Sequence, residues 1–305
     1  MWRVFWALIA VVGLLAGGMW IGRIGRSASS AVAGGKRLRV VSLAPSVTEL
    51  LFALGAGDRL VGVTNRCDYP PEATRIERVG GFGKPNVEKL LALAPDLVVI
   101  AGPAGRDVSQ ALHKSGVRTL EVKIRSFEEM FQTLRQLGEA VGMSVQADTL
   151  IARMQAELQA VATQEVRGGR RTRVFVELWD RPLTTAGGPS FLDDVIERAG
   201  GVNVAHGLSQ PHPRISAEQV IAWNPDVIVV AHMAHGGDAA EQMEERISWA
   251  DIAAVRGQRI IRDLPPDHLL RPGPRLIEGV KLLAQRLRSL PEIAATEQPE
   301  ERSPP

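Results

Sequence analysis

Asn86-Val87-Glu88-Lys89-Leu90-Leu91-Ala92-Leu93-Ala94-Pro95-Asp96-Leu97-Val98-Val99-Ile100-Ala101 is echoed 130 residues later by Ser216-Ala217-Glu218-Gln219-Val220-Ile221-Ala222-Trp223-Asn224-Pro225-Asp226-Val227-Ile228-Val229-Val230-Ala231. Each copy opens on a residue suited to cap a helix. Each carries a Glu seven positions before a Pro-Asp that should end the helix, then runs into β-branched apolar residues typical of a strand buried on both faces. A duplicated helix–strand unit predicts two similar lobes with parallel sheets.

The flanks extend the repeat more loosely. Arg39 to Leu43 reads as a strand before a helix from Ser46 to Gly55, which opens on the capping-box pattern Ser46-Val47-Thr48-Glu49. Arg173 to Leu178 reads as a strand before a helix from Ser190 to Gly200. After each repeat comes a further strand and helix: Arg118 to Lys123 then Ser126 to Gly142, and Arg259 to Asp263 then Gly273 to Leu290. Between the lobes, Ala147, Leu150, Ile151, Met154, Leu158 and Val161 recur at helical spacing and predict one helix from Ser144 to about Val166. At 1.5 Å per residue such a helix is about 35 Å long, a rigid rod between the lobes. The expected division is a leader over 1–35, a first lobe over 36–142, the connecting helix over 143–168, a second lobe over 169–291 and a disordered Glu- and Pro-rich tail over 292–305.

Composition excludes several classes. The chain has 305 residues, 45% hydrophobic and 23% charged, with a net charge of +2. Residues 1–35 hold three Arg and no acid, leaving 33 basic against 34 acidic residues on the rest. A near-neutral body is not the footprint of a nucleic-acid binder. A single Cys excludes an intramolecular disulfide and any iron–sulfur or multi-Cys metal site. Thr184-Thr185-Ala186-Gly187-Gly188-Pro189-Ser190 lacks the Gly-Lys-Ser/Thr of a phosphate loop, and no Gly-x-Ser-x-Gly elbow or catalytic dyad is recognisable, so nothing points to an enzyme or a resident metal.

Val4 to Ile21 is eighteen residues without a charge, between the length of a signal-peptide core and that of a minimal bilayer span. An Ala31-Val32-Ala33 site lies ten residues beyond Ile21, which favours an uncleaved anchor, and no Cys follows the run to carry a lipid. Arg23, Arg26, Lys36, Arg37 and Arg39 behind it argue by the positive-inside tendency for a cytoplasmic body.

Ser42-Leu43-Ala44-Pro45-Ser46-Val47-Thr48-Glu49, Cys67-Asp68-Tyr69-Pro70-Pro71, the two Glu-bearing repeats and the connecting helix together resemble the periplasmic cobalamin-, ferric-siderophore- and haem-binding proteins that serve ABC importers. The resemblance covers about Arg39 to Leu290 and is more specific in the first lobe. It implies two Rossmann-like α/β lobes joined by a helix, with the ligand in the cleft between them, on the outer side of the cytoplasmic membrane. It also implies delivery to a permease dimer with its ATPase. Cobalamin is the preferred ligand and haem or a ferric siderophore the alternative. A membrane-anchored sensor is the rival from another class; it would need a signalling domain across the membrane, and only Met1 to Arg3 precede the span.

By the same resemblance Glu88 and Glu218 dock the permease, although a Glu in a first helical turn is expected from the helix dipole alone. Ligand sites in open α/β sheets lie beyond the carboxyl ends of the strands. Pro45, Ser46, Arg66, Asp68, Tyr69, Trp179 and Asp267 fall at such ends and are expected ligand contacts, and the resemblance implies Phe82, His212 and Arg271 as further ones. Arg66 stands where the cobalamin binder has an aromatic residue, which suits an anionic ligand edge. Phe82 and Trp179 are read equally as stacking rings or as packing, and Cys67 as a small buried hydrophobe. Five of the six His (206, 212, 232, 235 and 268) fall in the second lobe, with no zinc-like spacing. A linking helix predicts closure on ligand of only a few degrees.

Overall fold

The computed structural model describes residues 37–102, 105–163, 170–232 and 249–290. The leader 1–35, the end of the connecting helix, His235 and the tail 292–305 lie outside them. Among the described residues no helix is long and apolar enough to cross a membrane.

The first half of the chain builds β1 (Val40–Ser42), α1 (Pro45–Ala53), β2 (Leu60–Val63), the short hairpin β3 (Gly80–Gly81) and β4 (Lys84–Pro85), α2 (Val87–Ala92), β5 (Leu97–Ala101), α3 (Gly105–Lys114), β6 (Arg118–Val122) and α4 (Phe127–Ala140). After α5 (Ser144–Ala162), the second half builds β7 (Thr172–Glu177), the hairpin β8 (Trp179–Asp180) and β9 (Leu183–Thr184), α6 (Phe191–Arg198), β10 (Gly201–Asn203), α7 (Ala217–Trp223), β11 (Val227–Val230), α8 (Ala253–Arg256), β12 (Ile260–Ile261), α9 (Pro266–Leu270) and α10 (Leu276–Ser289). The main sheets have the same order, β2-β1-β5-β6 and β10-β7-β11-β12, and every pair in both is parallel. The duplication read from the sequence is therefore a duplication of topology, and each sheet has all its carboxyl ends on one edge.

The Pro-Asp of each repeat has a structural role that explains its recurrence. Ala94 and Asn224, before the two prolines, both take φ of 42°, the left-handed conformation that commonly ends a helix. Asp96 and Asp226 then accept the backbone N–H of Arg39 and Arg173, each at 2.8 Å. The same two arginines donate from Nη2 to the helix-terminal carbonyls of Leu93 and Trp223, at 2.8 and 2.7 Å. A guanidinium at the negative end of each helix fixes that helix against the neighbouring strand.

Two sequence expectations are corrected. α1 begins at Pro45, not after a Ser46 cap; Ala44 is the N-cap and makes no side-chain cap bond. Pro at the first helical position is pre-set for the helix, and Glu49, freed from the capping box, pairs elsewhere. The last helix starts at Leu276 rather than Gly273, because Pro266–Leu270 forms a separate short helix and Arg271 turns extended. Within the described residues the connecting helix runs over 19 residues, about 28 Å.

That helix buries the six apolar residues its spacing predicted, yet it is no bare strut. It packs on α4 of one lobe and on α6 and α10 of the other. The approach to α4 is close: a Cβ on Gly138 would lie 2.6 Å from that of Ala147, so only glycine fits there. One continuous apolar core consequently runs from Val40, Leu50 and Val63 through Leu150, Met154 and Leu158 to Val174, Val195 and Leu283.

Candidate functional site

On the first lobe, the loop after β2 carries Arg66, Asp68 and Tyr69. Its base is pinned by Cys67, which is buried with Sγ 3.2 Å from the Thr48 hydroxyl and 3.1 Å from that of Thr64. Arg78 Nη1 donates to the carbonyls of Thr64 and Cys67 at 2.8 and 2.7 Å. The tip is thus presented on a fixed stem, with Arg66, Asp68 and Tyr69 exposed. Phe82 sits on the turn of the β3–β4 hairpin, its ring so close to Gly102 that a Cβ there would lie 2.5 Å from it. Beside it, beyond the ends of β5 and β6, opens a cavity of about 1120 Å³ whose lining includes Ser46, Lys84, Gly102 and Arg125.

On the second lobe, the β8–β9 hairpin carries Trp179, exposed, at the start of β8. Thr184 of this hairpin bridges to Arg214, and Ile215 N–H donates to the Leu183 carbonyl at 3.0 Å, which brings His212 onto the same rim. His212 is exposed yet crowded by neighbouring chain, and this partial desolvation lowers its imidazole below the ordinary value. His232, at the end of β11, places Nε2 3.1 Å from Oε1 of the fully buried Glu177. His206 bonds to Asp193, and His268 has a buried Nδ1 with no partner.

Tyr69, Phe82 and Trp179 are 44%, 44% and 45% exposed, and with Val145 they make up the large hydrophobic side chains exposed among the described residues. Phe82 and Trp179 are therefore only partly covered at the strand-end rims, Phe82 packing in part against Gly102.

The two rims meet. Arg271 of the second lobe donates from Nη2 to Asp68 Oδ2 at 3.1 Å and pairs through Nη1 with Oδ1 of the same carboxylate. Its Nε lies 2.9 Å from Asp267. Arg275 forms a fork with Glu49, Nε to Oε2 at 2.9 Å and Nη2 to Oε1 at 2.6 Å, and its guanidinium lies 4.1 Å from the centroid of the Tyr69 ring. The Arg271 hydrogen bond, outweighing partial burial, holds the Asp68 carboxyl below the usual carboxylate range. A second tie joins α4 to α6: the Phe127 N–H donates to Asp194 at 2.8 Å, while Arg198 pairs with that carboxylate at 2.7 Å and covers the Phe127 ring at 5.0 Å.

Of the residues expected at the site, Ser46, Asp68, Tyr69, Asp267 and Arg271 gather at this seam, where the backbone of Gly273 packs against Ser46. Pro45 opens the adjoining helix, while Arg66, Phe82, Trp179 and His212 stand on the rims. Glu88 and Glu218 occupy the same place in the two repeats, the second residue of α2 and α7, and both are exposed. The Glu218 carboxyl is lowered by the Ser216 hydroxyl and its own backbone N–H. Glu49, Arg275 and the Phe127–Asp194–Arg198 tie were missed. The available signal was Glu49 itself, a charge inside the apolar helix Val47 to Leu54 that had to find a partner.

Comparison with known proteins agrees with this geometry. The family model described as periplasmic binding protein matches residues 40–267. The chain is 34% identical over 256 residues to an uncharacterized ABC transporter substrate-binding lipoprotein of Bacillus subtilis, covering 82% of this chain and 79% of that one. It is 35% identical over 251 residues to a vitamin B12-binding protein of Salmonella typhimurium, covering 82% and 90%. Among solved structures, the periplasmic vitamin B12-binding protein of Vibrio cholerae superposes with a TM-score of 0.68 at 28% identity, covering 82% of this chain and 96% of that one. A periplasmic haem-binding protein of Roseiflexus does so with 0.73 at 29%, covering 83% and 98%. With the matched region spanning both sheets and the connecting helix, the chain belongs to the periplasmic binding protein family.

Proposed function

We propose that this protein is the solute-binding component of an ABC importer, that it captures a corrinoid of the cobalamin type between its lobes, and that it hands it to a permease dimer driven by an ATPase. In this reading it works outside the cytoplasmic membrane, secreted or held by its N-terminal segment, has no catalytic role, and divides into lobes over 36–142 and 169–291. The observation that carries the reading is the set of exposed rings, Tyr69, Phe82 and Trp179, on facing strand-end rims of two like lobes. A large flat ligand is what such rings fit. Covering the exposed part of one ring is worth about 2 kcal/mol at about 25 cal/mol per Å².

Glu88 and Glu218 are the proposed docking residues, since one stands exposed at the matching place of each lobe. Exposed charges there would set register and on-rate more than affinity. A ferric siderophore or haem is the second reading, favoured by a haem-binding structural relative. Titration calorimetry of the purified body with cyanocobalamin, ferric protoporphyrin and a ferric siderophore tests the proposal. Binding of cyanocobalamin alone supports it, binding of protoporphyrin or siderophore alone moves it to the second reading, and silence with all three removes the ligand class.

A further inference from the structure

The ion pairs at the seam are not arranged evenly between inside and outside. Arg271 and Arg275 are 18% and 16% exposed and Glu49 2%, whereas Asp68 is 57% and Asp267 45% exposed. Each nitrogen of Arg271 already faces a carboxylate: Nε that of Asp267, and Nη1 and Nη2 that of Asp68. Arg275 spends Nε and Nη2 on Glu49 and lays its plane on Tyr69. The two guanidinium groups and Glu49 are the buried members, and Asp68 and Asp267 are the exposed ones. The five groups together carry one net negative charge.

We propose that Glu49 is a specificity-determining residue of the cleft: by engaging Arg275 and attracting Arg271 from 3.6 Å, it leaves Asp68 and Asp267 as the exposed groups, so that this rim accepts ligand N–H and disfavours ligand carboxylate. The proposal rests on the corrinoid reading. A carboxylate has about four lone-pair sites, and the Arg271 fork uses two of those on Asp68, leaving acceptors for amide N–H groups. A ligand carboxylate at the same place meets like charge, and Asp68 stays ionised because Arg271 holds its carboxyl down. Without the Glu49 carboxylate, Arg275 would keep only the longer carboxylate contact, with Asp267 at 3.7 Å, and its guanidinium fork would be better able to take a ligand carboxylate. Arg66, exposed two residues before Asp68, acts in the opposite sense from the solvent side.

Cyanocobalamin and its separated monocarboxylic acids, each with one peripheral amide hydrolysed, test this. We expect the wild type to bind at least one acid isomer about tenfold more weakly than the parent, a difference near 1.4 kcal/mol. For that isomer the deficit should shrink about threefold or more in Asp68→Asn and in Glu49→Gln, and return in Glu49→Asp. Asp68 is exposed, so its variant keeps the test valid should Glu49→Gln fail to fold. The inference is overturned if all isomers bind within about twofold of the parent, or if the deficit is unchanged in Asp68→Asn and in any folded Glu49→Gln. Failure of cyanocobalamin itself to bind would instead overturn the corrinoid reading, and this inference with it.

Discussion

Replacing Arg275 by Met removes the partner of a carboxylate that is 2% exposed. Methionine keeps much of the side-chain volume, so the loss is mainly electrostatic. Breaking a buried pair from one side typically costs about 3 to 5 kcal/mol, because the remaining charge is left in a poor solvent. Glu49 retains a weak contact with Arg271 at 3.6 Å, which puts the expectation at the lower end, about 3 kcal/mol. The companion variant Glu49→Leu/Arg275→Met removes both charges and should recover to within about 1 to 2 kcal/mol of wild type, since two apolar side chains pack where two ions had to be desolvated. Urea unfolding followed by circular dichroism measures both. A cost below about 1 kcal/mol for Arg275→Met, or a double variant worse than the single, would refute the claim that this pair depends on burial.

Charge reversal at Glu88 and Glu218 together should abolish uptake in membranes carrying the cognate permease while ligand affinity stays as in wild type; a fall in affinity would refute the docking assignment. Met154→Ala, 3% exposed in the connecting helix, should cost about 2 to 5 kcal/mol in a single unfolding transition, because it lies in a core shared by both lobes. Two separate transitions in denaturant would contradict a shared core. Asp68 has a depressed carboxyl, so its pairing contributes fully above the unfolded value near 3.8 and is lost as pH falls through the lower folded value. The stability difference between wild type and Asp68→Asn should thus be constant from about pH 7 to 5 and shrink below about pH 4; a difference growing with acid has the wrong sign. Solution scattering with and without ligand should show closure of only a few degrees, given two polar ties and one core across the seam.

Much of the architecture was legible along the chain because it is encoded locally. The repeated Pro-Asp marks where a helix must stop, the β-branched runs after it can only be buried strands, and the spacing of Ala147 to Val161 is visible in one dimension. The Phe82 and Trp179 rings were visible too, but not their exposure, since an aromatic beside a strand end packs or protrudes according to the hairpin that carries it. Ser46-Val47-Thr48-Glu49 shows the opposite failure. Read alone it is a capping box; in the fold Pro45 starts the helix one residue earlier and Glu49 finds Arg275, 226 residues away.

The sequence by itself determined the parts: two like α/β units, the helix between them and the residue types on the strand-end loops, since each depends on neighbours within about four positions along a helix or two along a strand. Only the tertiary structure decided how the units are joined. The Glu49–Arg275 and Asp68–Arg271 pairs join residues more than 200 apart, and the shared core through Met154 draws on both halves of the chain. Such partners are chosen by burial and charge once the chain has folded, and no local spacing announces them.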